Sequence, residues 1–185
     1  MYFIFIFLFA SLFACAAPSE EKTSEVKTNP LGEYLKTLPE KKLPFVLDNQ
    51  FKDLKDISEL GFTVLYSAQD AERIKQGQNF GVSARVLFWY QLLESEIVGI
   101  VTIEGAQVLS YMLTTFNRTT GERIATTVLG TATANNMAVE YKSTCNFEKN
   151  GSIVVKTITT TNTDSKSTEE VKTFLVGKSG EINNQ

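Results

Sequence analysis

Residues 137–147 read Met-Ala-Val-Glu-Tyr-Lys-Ser-Thr-Cys-Asn-Phe. Val139, Tyr141, Ser143, Cys145 and Phe147 alternate with Glu140, Lys142, Thr144 and Asn146. Successive side chains of a strand point to opposite faces, so this spacing predicts a half-buried β-strand with the valine row turned inward. Cys145 falls on that inward row, where a thiol behaves as a small hydrophobe. No basic residue shares its face to stabilise a thiolate, so it reads as a core residue rather than a reactive one.

The β pattern extends in both directions from this segment. Strands are predicted over Ala84–Leu93, Ile97–Ile103, Val108–Phe116, Arg123–Leu129, Met137–Phe147, Ser152–Thr161 and Thr168–Val176, each bounded by turn residues. Glu94-Ser95-Glu96 reads as a tight hairpin between the first two. Threonine supplies 16 of the last 72 residues, and its branched β-carbon suits the pleat. Three stretches echo one another: Phe116…Gly121…Ile124, Phe147…Gly151…Ile153 and Phe174…Gly180…Ile182. Each is a strand end, a polar turn with glycine and a strand start, and glycine suits turns that need positive φ. Two strands fit in each interval, which returns the turns to the same edge. The pattern is an antiparallel β-meander, open to closure as a sandwich, a partial propeller-like array or a small barrel.

One to three short helices are expected before the meander. Asn29 can cap a helix and Pro30 suits its first position; Leu31, Tyr34, Leu35 and Leu38 then line one face until Pro39. Leu43–Leu47 reads as an edge strand that tolerates Pro44. Phe51, Leu54, Ile57 and Leu60 suggest a helical turn or two, and Phe62–Tyr66 a strand. Ser67 with Asp70 resembles a capping box for a helix ending at Gly77.

The chain has 185 residues, 18 basic and 21 acidic side chains, and no histidine. Without histidine, Ser-His-Asp and Cys-His nucleophile systems are excluded, as are histidine-rich metal sites. Carboxylate-only catalysis of the glycosidase type remains open. The charge is mildly negative and the lysines are dispersed, which argues against nucleic acid as a partner. No phosphate loop or metal motif is found, so no cofactor is expected.

Residues 1–15, MYFIFIFLFASLFAC, carry no charge and only one non-apolar side chain. With Ala16 and Ala17 the run is still shorter than the ~20 residues that span a bilayer. Polar sequence begins at Pro18, so the segment reads as an export signal. Leu12-Phe13-Ala14-Cys15 resembles the lipobox of bacterial lipoprotein signals, in which the cysteine is lipidated and becomes the mature N-terminus. That resemblance makes Cys15 the lipidation site. Residues 16–29, AAPSEEKTSEVKTN, are too poor in apolar groups to order themselves and read as a flexible polar tether. Residues 30–185 form a single β-rich domain.

The whole layout resembles uncharacterised Bacteroidetes-type lipoproteins with a β-meander domain. The likeness rests on the lipobox, the tether, Tyr34-Leu35-Lys36-Thr37-Leu38-Pro39…Leu43-Pro44-Phe45, and Thr115-Phe116-Asn117-Arg118-Thr119-Thr120-Gly121-Glu122-Arg123-Ile124. It implies a cell-envelope location and a β-rich fold, and it carries over no catalytic or binding residues.

Among candidate sites, residues 86–93 (VLFWYQLL) are apolar on both faces and hold Trp89, the one tryptophan. Exposed, Trp89 would be a platform for a glycan or an apolar ligand; buried, it marks a central strand packed on both sides, the reading favoured here. The oxygen-rich segment Asn162–Glu170 lacks calcium-loop spacing and reads as a hairpin loop. Asn150-Gly151 reads as a turn dipeptide. Glu94 and Glu96 sit at a hairpin tip where water keeps both ionised. The resulting expectation is a lipid-anchored envelope protein, non-catalytic, that meets the membrane through its lipid and binds an unknown protein or glycan partner. The alternatives are a barrel-like carrier of an apolar ligand lined by Trp89, and a carboxylate-dependent glycan hydrolase.

Overall fold

The computed structural model describes residues 29–48, 54–92, 95–133, 137–163 and 165–185. Residues 1–28, to which the expected export signal with Cys15 and most of the expected tether belong, and Glu94 of the predicted hairpin lie outside them. The fold is mainly β, a meander folded into two facing sheets with three short helices on one outer face. Of the closures open to the meander, the sandwich is the one formed.

Helix α1 (Pro30–Leu35) begins where the sequence places it. The Asn29 side chain accepts from the backbone N–H groups of Leu31 and Gly32, satisfying donors that the first turn leaves free. The Asn29 amide also donates to the carbonyls of Arg118 (2.7 Å) and Thr119 (3.2 Å), so one residue caps the helix and pins a distant turn. Short strands β1 (Glu40–Lys41), β2 (Phe45–Leu47) and β3 (Lys55–Asp56) follow. The helical turn expected around Phe51–Leu60 is partly outside the described residues, and Lys55–Asp56 within it is extended.

Of Phe62–Tyr66, predicted as a strand, Phe62–Leu65 instead lie in helix α2 (Glu59–Leu65), and Tyr66 is its extended C-cap. Ser58 caps that helix by accepting from Gly61 N–H, and Gly61, Phe62 and Leu65 are its buried residues. Packing at that helical spacing outweighs the weak strand preference of Thr63 and Val64, because β-propensity spans only about 1 kcal/mol. Helix α3 (Ala68–Gln78) starts at Ser67, whose hydroxyl accepts from Asp70 N–H (3.1 Å) and donates to its carboxylate (2.7 Å). Its C-cap is Asn79, two residues past the glycine expected to end it.

Strands β4 (Ser83–Gln91), β5 (Ile97–Gly105), β6 (Val108–Asn117) and β7 (Arg123–Thr133) pair antiparallel in sequence order. β1, parallel, and β3 flank β4 to complete the first sheet. Strands β8 (Val139–Phe147), β9 (Ser152–Thr161), β10 (Lys166–Val176) and β11 (Ile182–Asn184) form the second, with β2 on the far edge of β8. Gly121, Gly151 and Gly180 lie in the turns after β6, β8 and β10 at φ of +76°, +85° and +93°. Side chains with a Cβ rarely adopt these angles, which is why the echo repeats glycine.

The space between the sheets is filled. Phe88, Tyr90, Val101, Tyr111, Leu113 and Leu129 of the first sheet meet Cys145, Phe147, Ile153, Val155, Phe174 and Val176 of the second. Phe45 stacks on Phe147 with ring centroids 4.5 Å apart and meets Phe88 edge-on at 5.0 Å. A barrel-like carrier would need this volume for its ligand. The inward row read from residues 139–147 is the observed one, with Ser143, Cys145 and Phe147 buried.

On the other side of the first sheet, the helices bury Leu31, Tyr34, Leu35, Phe62, Leu65 and Ile74 against Val86, Trp89, Val98, Ile100 and Phe116. A register shift between Val86 and Phe88 produces this division. Val86 packs toward the helices, Leu87 and Phe88 both pack toward the sandwich, and Trp89 returns to the helix side. One extra residue in a strand inverts the facing of all that follow it.

Candidate functional site

The helices roof β4 and the start of β5 but leave much of the outer face of β6 and β7 uncovered. Between this face and α2–α3 runs a cleft of about 400 Å³, within the range of small-molecule sites. Its walls are Leu65, Ile74, Met112 and Ile124, and its polar groups are Tyr66, Asp70, Arg73, Thr102, Glu104, Thr114, Arg123 and Thr126. A second groove of about 420 Å³ shares Arg73, Ile74, Glu104 and Met112 and continues past Gly77, Val82, Ala84 and Gly105. Glu104 lines both.

Each polar group follows from its position on an element. Thr102 and Glu104 are two residues apart on β5, so both face outward, and the Thr102 hydroxyl donates to Glu104 Oε1 at 3.1 Å. Tyr66 ends α2 and donates its phenol O–H to the same oxygen at 2.6 Å. Burial raises the Tyr66 pKa, and the Glu104 charge and hydrogen bond raise it further. The phenol therefore stays a donor at any physiological pH. Glu104 Oε2 has no partner among the described residues.

Thr114 and Thr126 pair across β6 and β7, with hydroxyl oxygens 3.1 Å apart. Arg123 opens β7, and its Nη1 donates to the Leu65 carbonyl at the end of α2 (3.0 Å). Cations are favoured at a helix C-terminus, where carbonyls lack partners. Arg73 pairs with Asp70 on α3 at 3.4 Å. A further depression beside α3 holds Lys75–Glu59 and Arg85–Asp56, which pair with each other at 2.7 and 3.1 Å.

The buried position favoured for Trp89 is the one it occupies, and the platform alternative is ruled out. The side chain is 7% exposed, packed beneath the helices, with the Arg118 guanidinium 5.8 Å from its ring centre. The shift at Leu87 carries it there. Cys145 is fully buried, and burial pushes its thiol up to about 12, which keeps it protonated. Cys15 lies outside the described residues. The loop reading of Asn162–Glu170 is corrected in its second half, where Lys166–Glu170 already pair with β9 as the start of β10; Asn162, just past the end of β9, donates to the Met137 carbonyl at 2.6 Å. Among the described residues, no three Cys, Asp or Glu side chains come together as metal ligands, and no helix is long and apolar enough to cross a membrane.

Sequence reading did not single out Tyr66, Thr102, Glu104 or Arg123. One signal was present: Thr102 and Glu104 are polar residues at alternate positions closing the otherwise apolar strand Ile97–Ile103. Tyr66 and Arg123 carried none, because the facing of Tyr66 depends on α2 and that of Arg123 on the carbonyl it caps.

The fold and the cleft together define a two-sheet β-sandwich with a helix-roofed pocket outside its core. Comparison of the chain with protein-family models, curated proteins and solved structures finds no match.

Proposed function

We propose that this chain is a lipid-anchored protein of the bacterial cell envelope that binds a ligand, without chemical turnover, in the cleft beneath α2 and α3. The observation that carries the binding reading is the division of space in the fold. The interior between the sheets is packed with side chains, whereas the cleft presents charged and hydroxyl groups toward open volume. Its polar cluster is held in place from within, with Tyr66 and Thr102 both donating to one Glu104 oxygen. Such pre-ordered groups lose little freedom when a ligand arrives.

The anchoring half rests on Leu12-Phe13-Ala14-Cys15 and the polar stretch after it. Each buried methylene contributes about 0.8 kcal/mol, so several acyl chains on one cysteine hold a protein firmly to a bilayer. Labelled palmitate tests this in cells expressing the full chain. The expected result is incorporation into the wild-type protein and its recovery in the detergent phase, both lost in Cys15→Ala. Label retained by Cys15→Ala, or wild-type protein recovered from the aqueous phase, overturns the anchor.

A further inference from the structure

Taking the cleft as a binding site, we infer that it accepts a small zwitterion with an apolar arm, of the size of an apolar amino acid or a dipeptide. The ammonium meets Glu104 and the carboxylate meets Arg123.

The charges of the cleft select this class. Glu104 Oε1 already accepts from Tyr66 and Thr102, which leaves Oε2 without a partner among the described residues and open to a donor. Both neighbours are donors at that oxygen, and a cationic donor also balances the charge. Arg123 spends one Nη1 hydrogen on the Leu65 carbonyl. The rest of its guanidinium is a planar fork suited to a carboxylate. Arg73 is 78% exposed and already paired with Asp70, so it adds little.

A ligand that displaces water from the cleft must replace what water supplied to each charge. Arg123 is exposed at the mouth of the cleft and keeps its bond to Leu65, so a lone cation would leave it without a counter-charge, and a lone anion would do the same to Glu104. A neutral sugar would leave both so, and the aliphatic walls of Leu65, Ile74 and Met112 offer it little aromatic surface for stacking. A zwitterion satisfies both charges.

The position of Glu104 also gives the third feature of the ligand. Arg123 lines only the first cleft, whereas Glu104 stands at its junction with the second groove. A substituent next to the ammonium is therefore directed along Met112 into the second groove, where Ile74, Val82 and Ala84 offer an apolar arm its contacts.

Titration calorimetry of the full-length chain in detergent tests this with leucyl-leucine, its N-acetyl derivative and its C-terminal amide. Free leucyl-leucine is expected to bind, with each blocked form at least tenfold weaker. Glu104→Gln keeps an acceptor for Tyr66 and Thr102. It should abolish the preference for the free amine. Arg123→Gln should abolish the preference for the free carboxylate. Equal binding of free and blocked dipeptides, or an unchanged preference in Glu104→Gln, overturns the zwitterion.

A neutral oligosaccharide, with a cleft-filling Met112→Trp variant, separates this inference from the reading beneath it. Saccharide binding lost in Met112→Trp, with no dipeptide bound, overturns the ligand class and keeps the cleft as a binding site. Binding of any probe unchanged by Met112→Trp overturns the site itself.

Discussion

Ser143 shows how much structure one small polar residue organises. It sits on the inward row of β8, fully buried, between the two sheets. Its hydroxyl accepts from Thr131 N–H (2.9 Å), donates to the Thr131 carbonyl (2.7 Å) and lies 2.8 Å from the Thr157 hydroxyl. The side chain thus takes the place of a neighbouring strand for both backbone groups of Thr131, where the end of β7 approaches β8. Removing one partner of a buried hydrogen bond costs about 1–3 kcal/mol, because the remaining group is left desolvated. Ser143→Ala is expected to lower the unfolding free energy by about that amount, read from the midpoint of a urea transition. The sequence placed Ser143 on the inward face but marked it only as part of an alternating row. Its bonding depends on a residue twelve positions away. Trp89 is the complementary case: its burial followed from the doubly apolar strand, but its side depended on a register shift that hydrophobicity does not encode.

At the scale of elements, local signals succeeded where a capping group was written into the chain. Asn29-Pro30 and Ser67…Asp70 both begin helices, and the side-chain oxygens make the expected bonds. Ser67→Ala should destabilise the protein by about 1 kcal/mol, the usual worth of an N-cap. Thermal unfolding checks this, and because α3 roofs the cleft, protection of its amides from hydrogen exchange should fall as well. The meander was legible because alternation and turn glycines repeat over many residues, while Phe62–Tyr66 was misread because five residues fit either period. Its helical form is decided by Phe62 and Leu65 reaching the same core from one face, and by Ser58 capping the turn. The same helix carries Tyr66 to Glu104. The error in the element and the omission of the site therefore share one cause.

The whole molecule has a predictable response to alkaline pH. Burial raises the pKa of Cys145 from 9 to about 12 and that of Tyr34 from 10 to about 12. Desolvation also pushes up Tyr66, Tyr90 and Tyr111. Above pH 9 to 10 the unfolded chain therefore binds fewer protons than the folded one, and stability falls as pH rises. Below pH 9 the contribution is complete and flat. Urea midpoints should hold steady from pH 7 to 9 and drop progressively above 10. Tyrosinate absorbance near 295 nm should show these buried phenols ionising only as the protein unfolds.

From its sequence alone this chain could be read as a signal-bearing polar tether followed by one antiparallel β-meander, with its inward rows, capped helices and turn glycines. Those are properties of neighbours within a few residues, set by side-chain periodicity and backbone sterics. The pairing of two sheets, the helical form of residues 59–65 and the meeting of Tyr66, Thr102, Glu104 and Arg123 were decided only by the tertiary structure. They depend on which distant surfaces bury each other, and hydrophobic burial has no direction until the chain has closed.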